Sequence, residues 1–149
     1  MTTESQAAAL PTSSKVLCAC YAVISVVALL ATWSQNLQYG AGDLLSGFVP
    51  DLKANPAARS ITVDLFLFGL PVLIWMLAEA RKHSIKWVWA YFLAGAVTAI
   101  SVTFPLFLIA RELRLAGKSD PTRLAASDVV GLIIVAVLVL GIVVWVDVL

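Results

Sequence analysis

Four apolar runs, at residues 16–33, 61–78, 87–110 and 129–146, constrain this chain more than any other feature. Each is about 18 residues or longer, the length a helix needs to cross roughly 30 Å of hydrocarbon at about 1.5 Å per residue. A backbone in lipid must satisfy its own hydrogen bonds, and barrel strands would alternate apolar and polar residues over about ten positions, which these runs do not. The expected fold is therefore all-α, an integral membrane bundle of four transmembrane helices at about residues 16–33, 61–80, 87–110 and 129–147. A polar leader (1–15) precedes them, a connector (111–128) joins the last two, and the whole is a single membrane domain. At 61% hydrophobic and 13% charged, the chain carries about half the charge of a soluble domain, and the runs leave no room for a second, soluble domain. Lys15 ahead of the first run also suits a cleavable signal sequence. The long polar leader and the lack of an A-x-A site after Leu30 favour a retained helix.

Several chemistries are excluded. The net charge of +1 gives no electrostatic footprint for nucleic acid. There is no G-x-x-x-x-G-K-[ST], G-x-G-x-x-G, H-E-x-x-H or C-x-x-C, so no nucleotide partner and no named cofactor is implied. Cys18 and Cys20, two apart, fall on different faces of a helix and read as small packing residues. His83, the one histidine, lies in a basic turn and reads as solvated, with no second ligand nearby for a metal. No catalytic residues and no metal site are assigned.

The candidate residues cluster in the second and third runs. "NPAARSITVD" is a helix start, with Asn55 at the N-cap and Pro56 at the first position. Asp64 lies roughly 5 Å into the apolar run, either as a dipole-stabilised acid reaching for headgroups or as a ligand or proton-relay group turned into the bundle. Gly69 and Pro71 are expected to kink this helix. Glu79 is spaced to pair with Lys82 and His83 at the membrane edge. Trp87, Trp89 and Tyr91 in "KWVWAYF" read as interfacial anchors. Gly95, Ala99 and Thr103 repeat every four residues, a small-residue stripe expected to pack against the second helix or a partner. Pro105 should bend the third helix, which Arg111, Glu112 and Arg114 close. Between the first two helices, "DLLSGFVPDL" suits a short interfacial segment. Ser127 or Asp128 is a fit N-cap for the last helix, which is apolar all round.

Loop charges should orient the bundle, but four spans put four Lys and Arg on one side and six on the other. Lys15 and the compact "EARKHSIK" turn favour cytoplasmic termini.

Taken together, "WSQNLQY", "FVPDLKANPAARSITVDL", "EARK", "KWVWAYF" and "ISVTFPLFLIARE" resemble the bacterial membrane family called domain of unknown function 2834, over about residues 15–114. The resemblance marks Asn55, Pro56, Asp64, Glu79, Pro105, Arg111 and Glu112 as family-pattern positions, carries no activity, and leaves the fourth helix and its connector outside the pattern. Two functions stay open. One is a non-enzymatic accessory or assembly subunit of a membrane complex, with lipid and other membrane proteins as partners. The other is a small transporter or lipophilic-substrate protein in which Asp64, with Glu79 or Arg111, lines a cleft at the kinks.

Overall fold

A computed structural model describes residues 10–40, 42–115 and 125–148. It holds α1 (Thr12–Asn36), α2 (Val49–Asp51), α3 (Pro56–His83), α4 (Val88–Val97), α5 (Ile100–Leu115) and α6 (Ala126–Val148), with no strand among the described residues. A single π-helical turn, Leu44–Phe48, leads into α2. Three helices, α1, α3 and α6, are long and apolar enough to cross a membrane.

Local signals set most boundaries. Asn55, extended at φ −142°, accepts the Ala58 amide at 2.9 Å, and Pro56 opens α3 without losing a helical bond. Pro71 removes the amide that would bond Leu67, yet α3 continues through it. The helix ends where Ser84 turns left-handed, with Arg81, Lys82 and His83 facing the negative end of its dipole. The interfacial segment is a folded clip. The Tyr39 hydroxyl donates to Asp51 at 2.7 Å, the Tyr39 ring meets Phe48 edge-on, and Thr62 on α3 donates to the Leu52 carbonyl. Ser127 and Asp128 do not stand at the N-cap of α6. Its first turn closes on the Ala125 carbonyl, and Asp128, three residues in, reaches back to accept the Ala125 amide at 2.9 Å.

The third apolar run departs from expectation. Instead of one helix over 87–110 it forms two, α4 and α5, separated at Thr98 and Ala99 and folded back on each other. The Tyr91 and Phe107 rings lie 5.8 Å apart, whereas residues at that spacing on a straight helix are separated by about 24 Å. A Cβ built on Gly95 would come within 2.6 Å of Thr103 Oγ1. At about 15 Å and 24 Å, neither arm matches the hydrocarbon thickness. Pro105 sits inside α5, where it cannot donate to the Ser101 carbonyl, yet the helix runs through it. The freed backbone is covered by protein. Ala99 accepts the Val102 and Thr103 amides, and the buried Ser25 hydroxyl on α1 donates to the Val102 carbonyl at 3.0 Å.

At the centre, α5 packs against α1, α3 and α4. It runs antiparallel to α1 and parallel to α3, because Trp75 lies beside Phe104 and Phe107 and Glu79 beside Arg111. Met76, Ala80, Ile85, Val88 and Phe107 form the core at the end where α3 stops and the α4–α5 hairpin opens. α6 stands apart, packing on α1 through Val143 and Val146 near Ala31 and Asn36, at the other end of the bundle. Three helices long enough to span and a folded-back run thus place the first turn of α1 and the last turns of α6 at opposite ends, where four spans would put both on one side.

Thr103 is buried and the Ile100 Cα follows at 3.3 Å, so neither neighbour gives way freely to a side chain at position 95. Gly95→Ala is expected to lower the melting temperature of the detergent-purified protein by about 3–10 °C, from an overpacking cost of about 1–3 kcal/mol. Gly131→Ala on α6, whose Cβ meets nothing within 4 Å, should leave it unchanged.

Candidate functional site

The parallel register of α3 and α5 gathers four ionisable side chains at one end of the bundle. Glu79 and His83 share a face of α3, one turn apart, and Arg111 and Glu112 project from α5. Arg111 Nε donates to Glu79 Oε2, and Nη1 donates to Glu112 Oε1 at 3.3 Å. The guanidinium also lies 5.7 Å from the Trp75 ring centroid, within cation–π range. His83 Nε2 sits 3.3 Å from Glu79 Oε2, an ion-pair distance without hydrogen-bond alignment. Side-chain exposure is 13% for Glu79, 10% for Glu112, 14% for His83 and 26% for Arg111.

With His83 neutral, two carboxylates share one guanidinium and the cluster carries one net negative charge. A proton on His83 would balance it. Both acids pair with the one guanidinium, which offsets the cost of shielding their charges from water. The arrangement can brace α3 against α5.

Of the three ligand or relay candidates, Glu79 and Arg111 are joined directly and Asp64 is remote. Asp64 lies about 22 Å along α3 from Glu79, exposed between Ile61 and Phe68, with no hydrogen bond or ion pair among the described residues. The small-residue stripe is closed on itself: Gly95 faces Thr103 across the hairpin, and Ala99 sits in the break. Trp87 and Trp89 are exposed, 77% and 53%, as anchors would be, whereas Tyr91 is half-buried against Phe107. His83 is drawn into the cluster rather than solvated. Trp75 was unmarked in the sequence, although it stands one helical turn before Glu79 on the same face.

These features define a helical protein with apolar helices fit to span a membrane, braced at one end by a shared ion cluster. Residues 20–113 match the family described as Protein of unknown function DUF2834, and the chain belongs to that family. The matched region runs from α1 through Glu112 and so contains the whole cluster, while α6 lies outside it. No curated protein and no solved structure matches the chain.

Arg111→Met removes the cation that Glu79 and Glu112 share. The expected loss of stability is about 1–3 kcal/mol, between the values for exposed and buried pairs. Glu79→Gln in the same chain should recover part of that loss, so that unfolding of the double variant in detergent shows a cost smaller than the sum of the singles. Strict additivity would mean that the two side chains are not coupled.

Proposed function

We propose that this protein is a small non-enzymatic subunit that assembles with, or steadies, a larger complex in the bacterial cytoplasmic membrane, and that α6 is its docking element. The observation that carries this reading is the packing of α6. Every described side chain on it is exposed except Val143, and it meets α1 only near one end. The other long helices enclose α5, whereas α6 offers an aliphatic surface on all sides, which lipid or a partner's helices must cover. Asp64 supports the same reading over the transporter alternative. It points outward with no cleft partner, and an acid within a span is ordinarily met by another polar group.

Orientation follows from the folded-back run. The bundle end holding the start of α1 carries Lys15, Arg81, Lys82, Lys86, Arg111 and Arg114, and the connector after α5 adds Lys118 and Arg123 in sequence. The opposite end has Lys53 and Arg59. Eight of the ten Lys and Arg on the α1-start side support a cytoplasmic α1 start, with the last turn of α6 on the other side.

Two measurements test these assignments. The tagged full-length protein, extracted from its host in mild detergent, should migrate as a large particle with stoichiometric partners, and Val135→Lys in α6 should release them while the remaining bundle stays folded. A small particle without protein partners sinks the subunit assignment. For orientation, single cysteines introduced as Ser84→Cys and Leu113→Cys into a Cys18→Ser, Cys20→Ser background should label from the same side, and Gln38→Cys from the other. Labelling of Ser84→Cys and Leu113→Cys from opposite sides would mean that residues 87–110 cross the membrane.

A further inference from the structure

Asp64 is the only charged residue within any of the four apolar runs. Among the described side chains it is also the acid without a partner. Asp43, Asp51, Glu79, Glu112 and Asp128 each accept a hydrogen bond, whereas Asp64 accepts none.

Its place in the bundle explains why. Asp64, Phe68, Pro71 and Trp75 recur at helical spacing on one face of α3. Trp75 meets Phe104 and Phe107, so this is the face that α5 covers. With Phe104 beside Trp75 and Arg111 beside Glu79, the start of α5 at Ile100 stands level with residues 68–71 of α3. The chain turns back there, and Asp64 lies about 6–10 Å further along, past the end of the hairpin. The side chains around it, Ile61, Leu67 and Phe68, are exposed.

Charge specifies what covers this stretch. An acid set among Ile, Leu and Phe at membrane depth is met by a polar or basic group of a neighbouring helix, which lipid chains cannot supply. This chain does not offer the cation. Arg59, the nearest basic residue on α3, lies five residues closer to the helix start on another face, and its guanidinium donates to the Lys53 carbonyl at 3.1 Å. A second copy in the same orientation would bring Asp64 against Asp64 at equal depth, like charge on like. We infer that the stretch of α3 around Ile61, Asp64 and Phe68 seats a transmembrane helix of a partner protein that carries a lysine or arginine at this depth. That helix takes up, beyond the hairpin, the side of α3 that α5 covers before it. The inference rests on the subunit reading above and adds a contact specified by charge, where α6 offers only apolar surface.

Site-directed photocrosslinking in the host membrane tests it. The full-length protein carries p-benzoylphenylalanine in place of Phe68 or, in a separate chain, in place of Val135 on α6, and the crosslinked peptides are identified by mass spectrometry. The probe at Phe68 should join a membrane protein through an apolar segment containing Lys or Arg. Asp64→Leu should lower the yield of that crosslink about tenfold, the scale of a polar contact between membrane helices, and Asp64→Glu should keep it. Asp64→Lys should abolish the crosslink, and exchanging the partner's cation for aspartate in the same cells should restore it. Melting curves of the purified variants should match the wild type, because Asp64 has no partner within the fold to lose. A crosslinked segment without Lys or Arg, a second copy of this chain, lipid alone at Phe68, or full yield in Asp64→Leu overturns the assignment. If the probe at Val135 captures protein while the probe at Phe68 captures lipid alone, the subunit reading stands and this contact falls. Lipid alone at both positions removes both.

Discussion

The pairing of Arg111 with Glu79 is the constraint on which the rest of this structure depends. It joins the C-terminal turns of α3 and α5 and holds only if both helices finish at the same end of the bundle. Two helices separated by a single crossing would finish at opposite ends. The chain between them must therefore turn back, and it does so at Thr98 and Ala99. The aromatic contacts repeat the statement one turn below, where Trp75 meets Phe104 and Phe107 in the same parallel register.

A break in a helix at membrane depth exposes backbone groups that hydrocarbon cannot satisfy. The solution here is a division of labour among small residues. Gly95 lets the two arms approach until only a hydroxyl separates them, and Ser25 brings a hydrogen bond from α1 to the first turn of α5. Both Ser25 and Thr103 are buried. The α4–α5 hairpin is thus stabilised by α1 as much as by its own arms, and α1 packs along α5 more extensively than any other pair in the fold.

Much of this was legible in the residues. The helical membrane class follows from run length, the start of α3 from Asn55 and Pro56, and the family from patterns spread over α1 to α5. Glu79 and Arg111 could be named as candidates but not joined, because they are 32 residues apart and a straight third helix would have parted them. The break was hidden for a physical reason. A run that is apolar on every face shows no periodicity with which to tell a straight helix from one folded on itself, and Gly95, Ala99 and Thr103 read as an outward stripe when two of them face each other. Pro105 was visible, but α5 runs through it, and the Ser25 hydroxyl that bonds the first turn of α5 comes from 77 residues away in the chain. The burial of His83 likewise needed Glu79 to be held from the far side by α5.

The position of α6 outside the family-matched region has a consequence of parity. In the family-matched part, α1 and α3 are long and apolar enough to cross a membrane, and the last turns of α3 and α5 lie at the same end of the bundle. On the orientation proposed above, whatever is appended after Leu115 starts in the same compartment as the first turn of α1, and a single further crossing helix carries its end to the opposite one. A reporter fused after α5 and another fused after α6 would thus sense different compartments although the core beneath them is the same. The ion cluster and the hairpin hold the ends of α3 and α5 together, and on that orientation α6 is a detachable crossing that sets the side its last turn reaches.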